Sequence, residues 1–345
     1  MCIRDSYRLY PLYLEKAAEL LGESYHSYTQ IKALEHYFAG LNLRLQGERP
    51  GNTSIRDSLF RIAKGLQEKT LQLDSTAAYA YNELGLLARR VKQYEQSVTY
   101  FNRAVRFSPT WVVPWMNMSD SYSELDQLEA AERCGLKAVM LDSTFASAHY
   151  NLGNVYLAKK EEGKASIHFQ KAIAYQPDYM VAYFNLGLAY YNSGNYKQAE
   201  KMWEEYNKFR PDDTDVLQSL AQVGLDLGKG IEYAEPIFLN VLKLDSNYAK
   251  AHFSLGELNL VKKDLVLAQK YFNNYVALLP DDPAGYYYLA IAQNQNSAQA
   301  LQSLETAFKY GYKDYIQLKN ETRFAAIQKT TAYNKLIKKY FPDKM

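Results

Sequence analysis

The chain has 345 residues, and its 40 Lys and Arg against 38 Asp and Glu leave a net charge of +2. That balance argues against a dedicated nucleic-acid or membrane-surface protein, which concentrates positive charge on a patch. Only 17 Gly and 10 Pro exclude collagen-like and low-complexity chains, and two cysteines, Cys2 and Cys134, are too few for a disulfide framework or a zinc site.

The 32 Tyr and 14 Phe put much of the apolar mass into amphipathic rings, which suit half-buried helical surfaces. No stretch approaches the roughly 20 apolar residues of a membrane span. Asp5, Arg8 and Glu15 interrupt any signal-peptide core, so the expected location is cytoplasmic. Residues 1–6, Met-Cys-Ile-Arg-Asp-Ser, look like a leader that recurs in assembled sequences. If they are such a leader they are not native, and there is room before them for a signal peptide or an upstream domain.

Residues 7–21 read as an amphipathic helix. A second helix near 25–46 is followed by the loop Gly47-Glu48-Arg49-Pro50-Gly51-Asn52 and a third helix over 55–76. From residue 78 onward a pattern repeats. An apolar residue followed by a small one recurs as Leu84-Gly85, Met118-Ser119, Leu152-Gly153, Leu186-Gly187, Leu220-Ala221, Leu255-Gly256 and Leu289-Ala290. The spacings are 34, 34, 34, 34, 35 and 34 residues. Ala63, Ser97, Ala131, Ala165, Ala199, Ala234, Ala268 and Ala300 keep nearly the same beat, as do Pro109, Ser143, Pro177, Pro211, Ser246 and Pro280. Within each unit, apolar residues fall at helical spacing in two runs, for example Tyr183, Leu186, Tyr190 and Ala199, Trp203, Tyr206. Gly194-Asn195 separates those runs, so each unit is a pair of antiparallel helices. The small residues let the two backbones approach; Pro211 stops the second helix, and Asp212, Asp213 or Thr214 can cap the next. One hairpin cannot bury its own apolar face, but a stack can. Residues 314–341 read as a C-terminal cap, with Phe324, Ile327, Tyr333, Leu336, Ile337 and Tyr340 inward and Lys335, Lys338 and Lys339 outward. The C-terminus is expected to be complete.

This pattern resembles the tetratricopeptide repeat family. Residues 146–179 carry the family's positions through Leu152, Gly153, Tyr156, Ala165, Phe169, Ala172 and Pro177, with His149 in place of an aromatic. Residues 180–213 match with Tyr183, Leu186, Gly187, Tyr190, Ala199, Trp203 and Pro211. Weaker copies begin near 78, 112, 214, 249 and 283, and Gly224 and Asn259 replace the usual aromatic. The resemblance implies an all-α solenoid, an alpha-alpha superhelix of helical hairpins. The expected domains are N-terminal helices and a degenerate first repeat over 1–77, the array over 78–310, and capping helices over 311–345.

No catalytic constellation stands out. The five histidines form no His-Glu-x-x-His motif, and His149 and His252 occupy a recurring large-residue position. The pairs Glu161-Glu162, Glu204-Glu205, Asp212-Asp213 and Asp281-Asp282 fall at turns or outer faces, where capping and solvation explain them. Gly228-Lys229-Gly230 lacks the spacing of a phosphate loop and reads as a turn. No catalytic residue, metal or cofactor is expected.

Binding remains. In arrays of this family the first helix of each hairpin lines a concave groove, which the resemblance assigns to the two residues before each Leu-Gly pair and the residue after it. Asn117, Asn151 and Asn185 recur at 34-residue spacing in this register. They resemble the asparagine ladder of the O-linked N-acetylglucosamine transferase family, which implies that they hold a peptide by its backbone. The alternative reading is that these amides tie adjacent helices together. Asn154 follows Leu152-Gly153, and Tyr150, Phe184, Phe253 and Tyr287 stand one residue before the Asn register as candidate pocket rings. Groove charges are mixed, through Arg89, Arg90, Asp120, Glu124, Asp215, Asp226, Lys250 and Glu257. The carboxylate clamp of chaperone-tail receptors is absent, and RNA binding of the pentatricopeptide type fits poorly. The expected function is a non-enzymatic scaffold for a protein or peptide partner, with no nucleic acid and no membrane span. The alternative is the C-terminal arm of a larger signalling or catalytic protein.

Overall fold

The computed structural model describes residues 28–344, so the helix expected over 7–21 and the leader at 1–6 lie outside the described residues. The chain divides into two compact units, residues 1–182 and 183–345. Among the described residues all regular structure is helical.

The described residues of the first unit form four helical hairpins: α1 (Tyr28–Gly47) with α2 (Arg56–Leu73), α3 (Ala78–Arg90) with α4 (Tyr94–Phe107), α5 (Val112–Glu124) with α6 (Leu128–Leu141), and α7 (Ala146–Ala158) with α8 (Glu162–Tyr175). Helix α9 (Met180–Asn192) begins at its end and lies mostly in the second unit, where it precedes α10 (Tyr196–Phe209). There follow α11 (Thr214–Asp226) and α12 (Ile231–Leu244), α13 (Ala249–Val261) and α14 (Leu265–Leu278), then α15 (Pro283–Ala292) and α16 (Ser297–Lys309). The short helices α17 (Tyr315–Asn320) and α18 (Ala325–Gln328), with α19 (Thr331–Tyr340), close the chain.

The repeating small residues do what their spacing predicts. A Cβ on Gly153 would lie 2.6 Å from the Phe169 ring, and one on Gly256 would lie 2.7 Å from Phe272. Both rings are fully buried, so the glycine lets a second-helix phenylalanine seat directly on the first-helix backbone. Ser119 replaces glycine in α5, and its hydroxyl donates to Ala131 O at 2.7 Å, which satisfies the one polar group this substitution buries. The helix-to-helix turn places a left-handed residue at one register: Lys92, Asp126, Lys160, Gly194, Gly228 and Lys263, with φ between 57° and 76°. The next helix starts from a cap where the sequence supplies one. Asp213 Oδ1 accepts from Asp215 N and Val216 N, and Asp282 Oδ1 from Ala284 N. At the C-terminus, Leu318, Phe324 and Ile327 are fully buried against Tyr287 and Leu304, while Lys335 and Lys338 are exposed.

Candidate peptide-binding surfaces

On the first helices of the first unit, polar side chains reach from one hairpin to the next. Arg44 Nε donates to Glu83 Oε2 at 2.6 Å, Asn117 Nδ2 to Asn82 Oδ1 at 3.1 Å, and Arg89 Nη1 to Asp120 Oδ2 at 2.8 Å. Asp120 also accepts from Asn151. Burial pushes the Glu83 and Asp120 carboxyls up, against the pull of their arginines. Glu48 extends the network by pairing with both Arg44 and Arg90 at 2.8 Å.

The second unit uses a different chemistry for the same task. Tyr191 Oη donates to Asp226 Oδ2 at 2.7 Å, Tyr248 Oη to Asp215 Oδ1 at 2.5 Å, and Gln218 Nε2 to Ser254 Oγ at 3.0 Å. Glu257, its carboxyl pushed up by burial, is hydrogen-bonded to Tyr288.

These bonds include two members of the asparagine row. Asn117 is 5% exposed and Asn151 8%, and both amides engage the neighbouring hairpin. Asn154, on α7, and Asn185, on α9, are half-buried. The half-buried Tyr150 ring lies 5.0 Å from Tyr179 and 5.8 Å from Phe169. In the second unit, Phe184 lies 5.9 Å from Tyr206, and Trp203 Nε1 donates to its carbonyl. Phe253 lies 4.9 Å from Tyr275 and 5.0 Å from Tyr288. Tyr287 departs from expectation: it has no exposed surface and stacks on Tyr312 at 4.5 Å, because the capping segment packs over it. Tyr288, one residue on, is the half-exposed ring. Sequence reasoning also missed Tyr179 and the arginine–carboxylate pairing, which carry no local motif.

Apart from these faces, His149 Nδ1 and His168 Nδ1 stand 2.9 Å apart, and His149 Nε2 lies 3.0 Å from Ser143 O. A carbonyl only accepts, so Nε2 carries the His149 proton and His168 Nδ1 donates to His149 Nδ1. Both rings are neutral in this arrangement. Burial holds both below the ordinary imidazole range, His168 at about 4. Among the described residues no group of three or more His, Cys, Asp or Glu is placed to hold a metal, and no helix is long and apolar enough to cross a membrane.

Sequence profiles described as tetratricopeptide repeat match residues 78–110, 146–179, 164–223 and 219–283. The human protein O-mannosyl-transferase TMTC3 is 25% identical over 243 residues, covering 69% of this chain and 26% of that protein. Superkiller protein 3 of Schizosaccharomyces pombe is 26% identical over 216 residues, covering 61% of this chain and 15% of that protein. The chain therefore spans about a quarter or less of these relatives. Among solved structures, the C-terminal part of a repeat-containing protein from Cytophaga hutchinsonii superposes with a TM-score of 0.54 at 15% identity, over 74% of this chain and 99% of that one. With the profiles falling on hairpins whose small-residue contacts recur at the same beat, the chain belongs to the tetratricopeptide repeat family.

Proposed function

We propose that the protein is a non-catalytic interaction scaffold that holds an extended segment of a protein partner against its first helices. The observation that carries this reading is the set of half-exposed rings there: Tyr150 in the first unit, and Phe184, Phe253 and Tyr288 in the second. Such rings supply large contact area at low entropic cost, and they dominate the energetics of many interfaces. Asn154, four residues after Tyr150, and Asn185, next to Phe184, are half-buried amides on the same first helices. Asn117 and Asn151 hold the hairpins that present these groups. The partner is a protein, not a nucleic acid, and no cofactor takes part.

The test is capture of partners by the intact chain, mapping of the bound segment, and anisotropy titration of that segment. Tyr150→Ala and Phe253→Ala each weaken binding about 5- to 30-fold, in line with an interface anchor worth roughly 1–2 kcal/mol. Ile167→Ala, which removes an exposed side chain from the second helix α8, leaves affinity unchanged. Unaltered affinity in both ring variants, with melting temperatures recorded alongside, overturns the reading.

A second reading makes the array the interaction arm of a longer signalling or catalytic protein. It is favoured by the length of the relatives, of which this chain matches about a quarter or less. Sequencing the genomic locus tests it: a continuous upstream reading frame supports the arm, and an in-frame stop before residue 1 refutes it.

A further inference from the structure

In the first unit, each junction between hairpins encloses a tyrosine, except one. Tyr122 packs in the cluster of Val98, Met118 and Cys134. Tyr156 stacks on His168 at 5.4 Å, has Lys164 above its ring at 5.1 Å, and donates through its hydroxyl to Glu132 at 3.0 Å. One repeat before Tyr122 the residue is Ala88.

The second unit meets the same loss with a substitute. Gly224 stands in this register, and the Tyr233 ring from the following helix lies so close that a Cβ on Gly224 has no room. Lys229 sits 4.6 Å above that ring. In the Ala88 repeat the residue equivalent to Tyr233 is Gln96, which carries no ring. The space between α2, α3 and α4 is instead a cavity of about 200 Å³ that opens to solvent. Its buried lining is apolar, from Phe60, Leu84, Leu87 and Ala88. Tyr100, at the register of His168, lines it as well. Arg61 and Lys64 line its exposed side together with Asp57, and Lys64 also pairs with Glu68 at 3.6 Å across exposed surface. Lys64 takes the register of Glu132, the acceptor of the Tyr156 hydroxyl.

We propose that this pocket binds an aromatic ring carrying an anionic group, the ring filling the place that Tyr122 and Tyr156 fill in the next two repeats and the anion reaching Lys64 and Arg61. The size fits, since an apolar cavity of about 150 Å³ holds benzene. The sign of the charge follows from the exchange of Glu132 for Lys64, whose exposed pair with Glu68 is weak enough to yield to an anion at the ring's far edge. The pocket lies between α2, α3 and α4 and contains none of the rings Tyr150, Phe184, Phe253 and Tyr288 on which the proposed function rests.

Two sources supply this chemistry, a free aromatic acid and an acidic aromatic segment of another protein. Saturation-transfer NMR on the intact chain separates them, using 4-methylbenzoate for the first, acetyl-Glu-Phe-amide for the second, and 4-methylbenzylammonium as the cationic control. The expected dissociation constant is on the order of 1 mM for ligands of this size, with the cation several-fold weaker. Lys64→Gln, an exposed change, lowers the preference for the anion by about 2- to 5-fold. Ala88→Tyr supplies the ring in cis, abolishes binding and raises the melting temperature. Should it fail to fold, Ala88→Leu fills part of the pocket and weakens binding at least several-fold. Binding of the free acid alone assigns the site to a small molecule, and tighter binding of the peptide assigns it to a partner protein. The proposal fails if neither anionic probe binds saturably, if binding survives filling of the pocket, or if the cation binds as well as the anions.

Discussion

Replacing Gly153 and Gly163 by alanine, separately, measures the contact on which the repeat is built. Both glycines lie in or at the start of helices of one hairpin, α7 and α8, and both gain the intrinsic preference of alanine for helix, up to about 1 kcal/mol. Their surroundings differ. A Cβ on Gly163 meets nothing within 4 Å, whereas one on Gly153 falls 2.6, 2.8 and 2.9 Å from three carbons of the Phe169 ring. That ring is fully buried and cannot swing away without opening the hairpin. Because Gly163 lies in the first turn of α8, where the propensity gain is smaller than in the interior of α7, the difference between the variants is a lower bound on the overpacking cost, about 1–3 kcal/mol. In equilibrium terms this is roughly a 5- to 150-fold gap. Urea unfolding followed by circular dichroism gives the stabilities, and amide exchange over residues 146–175 locates the damage. Gly163→Ala is expected at or above the parent's stability and Gly153→Ala below it. Equal stabilities would show that the ring yields freely and that the glycine is not what lets the helices touch. The same reasoning applies in the second unit to Gly187, whose Cβ would run into Trp203.

Three further outcomes follow from the side-chain network. The His149–His168 pair is buried neutral, and both groups bind protons more weakly folded than unfolded; its stabilising effect is therefore complete above the ordinary imidazole value of about 6.5 and declines as pH falls toward about 4. Amide exchange of residues 146–175 across that window should show the loss, and His168→Phe should flatten it; an unchanged profile contradicts the pairing. Glu83→Gln takes from the Arg44 guanidinium, whose side chain is only 10% exposed, the more buried of its two carboxylates and leaves Glu48, so it should cost less than the roughly 3–5 kcal/mol of a fully stranded buried charge, while the double change Arg44→Met with Glu83→Leu should cost clearly less than the single change in the same denaturation assay. Lys160→Gly, at φ 58°, should raise stability by up to about 1 kcal/mol; a loss would mean that the lysine side chain, not the backbone angle, governs the turn.

The sequence by itself determined the hairpin, its period and the places where helices touch. Those features are local and periodic: Leu152-Gly153 and Ala165 announce a close contact within a dozen residues, and Gly194 announces the turn. Where the turn uses Lys92, Asp126, Lys160 or Lys263, no residue type marked the left-handed backbone; the packing of the two helices imposes it. A 34-residue pattern tells which face a side chain takes but not what waits for it on the next hairpin. Asn117 therefore looked like Asn185, and only the packed structure shows Asn117 bonded to Asn82, 35 residues away. Tyr287 read as a groove ring because its register is that of Tyr150, and the capping segment buried it. Ala88 looked unremarkable for the same reason. Its consequence depends on Phe60, Lys64 and Gln96 together, three side chains from two other helices, and a cavity is a property of what several elements fail to fill. Periodicity fixes direction along one helix, whereas partners, burial and empty space arise only when helices distant in sequence are brought to side-chain range.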